Sequence, residues 1–192
     1  MIKKALRNQL REWLASLSGE EVQRRSVAAC RLLCAQPEYQ AADVIMIFLS
    51  TPREVDTAPV ALSAWNQGKR VLAPRVSWEQ RRMLPIEIHS LTSDVQPGQM
   101  GIREPVEGMP VPVSDIDLVI VPGLGFDQQG NRLGRGRGFY DGFLSHRDFR
   151  GISCALAFEE QVLPSVPADH RDVRVHMLVT DVTVRRFGEL RQ

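Results

Sequence analysis

From Arg132 to Asp141 the chain reads Arg-Leu-Gly-Arg-Gly-Arg-Gly-Phe-Tyr-Asp, with Gly134, Gly136 and Gly138 alternating with cationic side chains. Glycines let backbone N–H groups turn inward onto an anion, and Arg132, Arg135 and Arg137 supply charge-assisted donors. A helix opening near Phe139 would add the positive end of its dipole at the same place. Asp141 offers the oxygen ligands that magnesium prefers, the remaining ones coming from the phosphates themselves. These residue types in this order suit the binding of a triphosphate with its cation.

On the residues alone the same loop also reads as a mobile surface turn, or as an arginine-glycine segment that binds RNA. Its position between a strand and a helix favours an ordered phosphate loop, and its spacing is neither the Walker pattern nor the dinucleotide fingerprint.

The elements that must position this loop follow from periodicity. Ile116 to Val121 reads as a buried strand that runs into Pro122-Gly-Leu-Gly-Phe-Asp127, and Phe139 to His146 as the helix after the glycines. Upstream, Ile2, Leu6, Leu10, Trp13, Leu14 and Leu17 recur at helical spacing, leaving Lys3, Arg7 and Arg11 as a basic stripe on a neighbouring face. Ser18 and Glu21 have capping-box spacing and open a second helix to about Gln36, closed by Pro37.

Val44 to Leu49 is a buried strand, Thr57 to Gln67 a helix stopped by Gly68, and Arg70 to Ala73 a further strand, which is the unit of a parallel sheet. The proline-punctuated middle, Ser77 to Val113, holds one strand at Leu84 to His89, and Ile152 to Phe158 and Met177 to Thr180 are further strands. The expected fold is α/β: a single three-layer domain over residues 1 to 192, Rossmann-like, its mostly parallel central sheet flanked by helices, with ligands at the carboxyl ends of the strands.

With 192 residues and 43% hydrophobic content the chain can bury a core without staples. Its 24 Lys and Arg against 23 Asp and Glu do not mark a general polyanion binder. No apolar run is long enough to span a bilayer, and charges interrupt the segment where a signal peptide would be apolar. Cys30, Cys34 and Cys154 are too few for a disulfide framework and lack partners at zinc-site spacing. These features point to a cytoplasmic protein. His89, His146, His170 and His176 have no nucleophile at an informative spacing, so no Ser-His-Asp or Cys-His device is legible.

Pro122-Gly-Leu-Gly-Phe-Asp127 followed by Gly130-Asn-Arg-Leu-Gly-Arg-Gly-Arg-Gly-Phe-Tyr-Asp141 resembles the signature of the 5-formyltetrahydrofolate cyclo-ligases. The resemblance extends to Lys3-Lys-Ala-Leu-Arg7, Glu54-Val-Asp56, Gly101-Ile-Arg-Glu-Pro105, Leu163-Pro through Asp172, and Thr180-Asp181. Phe139 stands where many members have tyrosine, and Arg137 where glycine or lysine is common.

The resemblance implies an enzyme that uses ATP and magnesium to close 5-formyltetrahydrofolate into 5,10-methenyltetrahydrofolate, and the chain is expected to act as a monomer on small molecules, with no nucleic-acid or membrane partner. It implies that Lys3, Lys4, Arg7, Arg132, Gly134, Arg135, Gly136, Arg137, Gly138, Phe139 and Tyr140 contact ATP. It places Leu49 and Glu54 against the folate, together with Arg135, Gly136, Arg137, Gly138 and Phe139. Asp141 and Asp172 are the implied magnesium ligands, and Arg135, Arg137 and Tyr140 the implied catalytic residues. Without the resemblance, the basic stripe and Glu54 read as ordinary solvated charges.

Overall fold

A computed structural model describes residues 2 to 188. Its centre is a seven-stranded sheet. The strands are β1 (Val44–Met46), β2 (Arg70–Ser77), β3 (Arg82–Glu87), β6 (Leu118–Val121), β9 (Ile152–Leu156), β11 (Met177–Val179) and β12 (Val184–Arg186), in the spatial order β12-β11-β9-β6-β1-β2-β3. The five inner strands run parallel, and β12 and β3 close the two edges antiparallel. The expected mostly parallel sheet is therefore present.

Side chains of β1 alternate between two cores. Ile45 joins Leu118, Ile120, Cys154 and Leu156 on one face, and Val44 and Met46 join Val119, Val121 and Ala155 on the other. Strands buried on both faces must be apolar at consecutive positions, which is why these runs do not alternate. The first face is covered by α1 (Ile2–Ser16), α2 (Gly19–Cys34) and α4 (Ala58–Asn66), through Leu10, Leu14, Ala29, Leu33, Val60 and Ala64. The second is covered by Phe143 and Leu144 of the short α5 (Phe139–Leu144) and by Phe149 and Val175 from loops. The two outer layers are thus unequal, and only the first is built mainly from helices.

Local signals account for most element ends. Ser18 Oγ accepts the Glu21 N–H at 3.1 Å and caps α2, as its spacing predicts. Pro37 does more than close that helix: it opens a five-residue helix, α3 (Pro37–Ala41), where its missing N–H costs nothing. The strand expected to reach Leu49 leaves the ladder after Met46, although Ile47 N–H still donates to Leu72 O at 2.9 Å. The chain then turns toward the sheet's carboxyl edge.

In the middle segment β2 runs on to Ser77 and pairs with β3 as a hairpin. A second hairpin, β4 (Val95–Pro97) with β5 (Arg103–Pro105), was not expected. Its prolines sit at strand ends, where a missing donor is tolerated. Three short strands, β7 (Gly125–Asp127), β8 (Arg132–Leu133) and β10 (Val162–Leu163), form a separate small sheet that frames the glycine loop.

A buried arginine joins the layers. Arg25 of α2 bonds Asp181 at 2.7 Å, pairs with Glu160, and lies over the Phe158 ring at 4.9 Å and the Trp13 ring at 5.9 Å. Its guanidinium is desolvated, yet the two carboxylates outweigh that cost and raise its pKa. The contact to Trp13 ties α1, which carries the basic stripe, to the sheet.

Candidate functional site

At the carboxyl ends of β1 and β6 a cleft of about 1040 Å³ opens. Lys3, Arg7 and Arg11 of α1 form one wall, and Leu49, Thr51 and Glu54 after β1 another. The glycine loop from Arg132 through Asp141 crosses the middle, with Asp172 at one end. Trp78 from the β2–β3 turn and Arg103 from β5 also line the cleft, Arg103 within the Gly101-to-Pro105 stretch of the resemblance.

Buried groups fix the loop from beneath. The Asp127 carboxylate accepts N–H bonds from Gln129, Asn131 and Val166 and from the Asn131 side chain, at 2.9 to 3.0 Å. Four donors offset the cost of burying its charge. The Gln161 side chain donates to Gly123 O and Leu124 O at 2.9 and 3.1 Å, holding the turn that precedes the loop. Within the loop Gly136 has φ 97° and Gly138 φ 73°, conformations that side chains with a Cβ rarely adopt. These values leave the loop free to present alternate residues to the cleft.

Charges in the cleft are matched one against another. Arg7 Nε donates to Gly134 O at 2.9 Å. Arg132 Nη2 donates to Asp141 Oδ1 at 2.9 Å, an oxygen that also accepts the Val173 N–H at 3.2 Å. Arg135 Nη2 bonds Glu54 Oε1 at 2.7 Å, and Glu54 Oε2 accepts the Thr51 N–H at 2.9 Å. Lys3 Nζ lies 2.7 Å from Asp172 Oδ2 and 3.2 Å from Asp169 Oδ2. Glu54 is therefore no solvated loop carboxylate: its side chain is only 11% exposed.

Two buried polar atoms beside these pairs, Tyr140 Oη and Arg132 Nε, have no hydrogen-bond partner among the described residues. The Arg132 guanidinium lies 5.7 Å from the Tyr140 ring centre. Burial, and next the Glu54 charge, push the Tyr140 phenol well above its ordinary pKa, so it stays a neutral donor near pH 7. Unsatisfied buried donors are costly, and a ligand oxygen would relieve them. Arg137 lies 5.8 Å from the Trp78 ring, which meets Phe139 edge-on at 5.3 Å. An aromatic wall thus stands beside the loop.

All the site residues expected from the sequence line this one cleft except Lys4, which is exposed outside it. Lys4 lies about 100° around the helix from Lys3 and about 60° from Arg7, its nearest neighbours along α1 that line the cleft. The helix after the loop is only six residues long, so its dipole adds little and the cationic character rests on the arginines and glycine N–H groups. Sequence reasoning missed Thr51, Trp78, Arg103, Asp127 and Gln161 as parts of the site. Arg11 was visible as part of the stripe, but nothing marked it as a lining residue.

The described residues contain no group of three or more His, Cys, Asp or Glu able to hold a metal ion by themselves. Asp141 and Asp172 are two carboxylates beside a cationic loop, brought near each other by the Val173 N–H bond to Asp141. That set fits magnesium, which is commonly held by one or two carboxylates with substrate phosphates and water completing its shell.

Residues 1 to 181 match the model of the 5-formyltetrahydrofolate cyclo-ligase family. The chain belongs to that family. Over 187 residues it is 35% identical to the 5-formyltetrahydrofolate cyclo-ligase of Mus musculus, covering 90% of each chain. To the cyclo-ligase of Escherichia coli K12 it is 28% identical over 175 residues, covering 89% of this chain and 96% of the other. The NMR structure of the Aquifex aeolicus 5,10-methenyltetrahydrofolate synthetase superposes with a TM-score of 0.85 at 32% identity, over 100% of this chain and 96% of that one. As a cyclo-ligase family member the chain is an enzyme, and the family match spans every cleft residue from Lys3 to Asp172.

Proposed function

We propose that this enzyme converts 5-formyltetrahydrofolate to 5,10-methenyltetrahydrofolate, consuming ATP with magnesium and releasing ADP and phosphate. The observation that carries this reading is the convergence in one cleft of Lys3, Arg7, the Arg132 to Asp141 loop, Glu54 and Asp172. Cationic groups for phosphates lie at the loop and α1, and a carboxylate for the N–H donors of a pterin, Glu54, lies beneath the loop's Arg135.

The formyl oxygen is a poor leaving group. In the proposed route it attacks the γ-phosphorus, the bond to ADP breaks, and the oxygen becomes a phosphate ester of the activated carbon. N10 then attacks that carbon, the carbon–oxygen bond breaks, phosphate departs with the electron pair, and N10 loses its proton. No covalent nucleophile from the protein is needed.

What the chain supplies is alignment and charge neutralisation. Lys3, Arg7, Arg132 and the backbone from Gly134 to Gly138 hold the nucleotide phosphates, with Phe139 and Tyr140 packed against it. Arg135 and Arg137 act on the transferring phosphoryl group, and Tyr140 donates from its unpartnered hydroxyl. Leu49 and Glu54 hold the folate ring, with Arg135 to Phe139 closing the pocket over it. Asp141 and Asp172 hold magnesium, which offsets phosphate charge when bound. Lys4, outside the cleft, contributes only long-range charge in this reading.

The chain works as one domain and as a monomer in the cytoplasm, on small molecules. Its near-balanced charge supports the absence of a nucleic-acid partner, and no described helix is long and apolar enough to cross a membrane. Pairing of Arg132 and Arg135 with carboxylates disfavours the disordered RNA-binding reading of the loop.

The test follows near-ultraviolet absorbance of the methenyl product on mixing the chain with 5-formyltetrahydrofolate, magnesium and ATP. An ATP-dependent rise, lost in Asp141→Ala, is expected. A folded chain that gives no rise would sink the proposal.

A further inference from the structure

We infer that the Arg135–Glu54 pair is a latch that couples nucleotide binding to folate binding, an inference that rests on the function proposed above. Both oxygens of Glu54 are engaged: Oε2 by the Thr51 N–H at 2.9 Å, Oε1 by Arg135 through Nη2 at 2.7 Å and Nε at 3.2 Å. Arg135 Nη2 also reaches Thr51 Oγ1 at 3.3 Å. The carboxylate is 11% exposed beneath an arginine that is 41% exposed, so the guanidinium caps it from the solvent side. A ligand that brings N–H donors to Glu54 must first displace Arg135 from Oε1.

The backbone around Arg135 allows that displacement. It stands between Gly134 and Gly136, the latter at φ 97°, so its side chain can swing without dragging a neighbouring Cβ. The Arg7 bond to Gly134 O at 2.9 Å meanwhile pins the base of the loop. A triphosphate offers several anionic oxygens to a guanidinium now shared with one carboxylate, and arginine forks favour phosphate geometry. Nucleotide therefore draws Arg135 off Glu54 and frees Oε1 for the pterin. By linkage, folate on Glu54 frees Arg135 for phosphate to the same extent.

The pair is partly exposed, which sets the coupling at about fivefold rather than orders of magnitude. The test is calorimetric titration of 5-formyltetrahydrofolate into the full chain, with and without magnesium and a non-hydrolysable ATP analogue. In the wild type the analogue is expected to tighten folate binding about fivefold. In Arg135→Ala, at analogue concentrations that saturate the variant, folate affinity should be the same with and without the analogue. A variant in which the saturating analogue still tightens folate binding about fivefold would overturn the latch. Tight wild-type binding of both ligands with no coupling overturns the latch alone, whereas no folate binding at all overturns the proposed function and the latch together.

Discussion

Lys3 in the first turn of the first helix and Asp172, 169 residues later, form an ion pair of 2.7 Å that closes one end of the cleft. The ammonium sits on the carboxylate proposed to meet magnesium, and its bond to Asp172 raises its pKa. Metal and nucleotide would take both groups as new partners. Lys3→Met is expected to raise KM for ATP about tenfold, the worth of one charge-assisted hydrogen bond. Its effect on stability should stay within about 1 kcal/mol, because the pair is near the surface. An unchanged KM would assign Lys3 to structure alone.

Arg132 and Asp141 separate folding from chemistry. The arginine side chain is 4% exposed and the aspartate 20%. Removing the cation in Arg132→Ala leaves a half-buried carboxylate uncompensated and should lower stability by about 3 kcal/mol. Asp141→Asn keeps an oxygen for the Arg132 and Val173 donors but removes the counter-charge of the buried Arg132, so it should lower stability by less than Arg132→Ala while losing magnesium-dependent turnover. Thermal melts beside turnover assays check both halves of the statement.

Gly136 tests the loop's backbone. At φ 97° an added Cβ is strained, and it would lie 3.5 Å from the Arg7 guanidinium carbon. Gly136→Ala should lower stability by about 1 to 2 kcal/mol and raise KM for ATP. A variant with wild-type KM would show that the loop tolerates another conformation.

His176 gives the pH dependence. Its Nδ1 accepts the Ser153 N–H at 3.0 Å and lies 2.8 Å from Ser153 Oγ, and burial lowers its pKa below the ordinary 6.5. The unfolded chain therefore binds the proton first as pH falls, so this contribution is full above pH 6.5 and is lost progressively below it. Denaturant midpoints should fall from pH 7 to pH 5 more steeply in wild type than in His176→Asn, which keeps an acceptor without titrating. Equal slopes would exclude the histidine as the source.

Much of the site was legible because its residues are local in sequence. Arg132 to Asp141 is one stretch, and Lys3, Arg7 and Arg11 obey helical spacing, so both could be read before folding. Lys4 belongs to the same basic run, yet it is exposed and lies outside the cleft. Trp78 and Arg103 come from hairpins in a proline-rich segment whose register depends on pairing between distant residues. No local pattern encodes such pairing. Asp127 belongs to the signature stretch and Gln161 does not, and neither is legible as a support of the loop because that role lies in the donors and acceptors that folding brings to them.

By itself the sequence determined the parallel α/β class, since consecutive apolar residues suit strands buried on both faces, and it determined a cationic glycine loop suited to phosphate. Tertiary structure decided which charge meets which. Glu54 pairs with Arg135 and Lys3 with Asp172 across 81 and 169 residues. Such pairs form only where strand order and helix packing fix the distances, and electrostatic energy depends on distance and burial rather than on position along the chain.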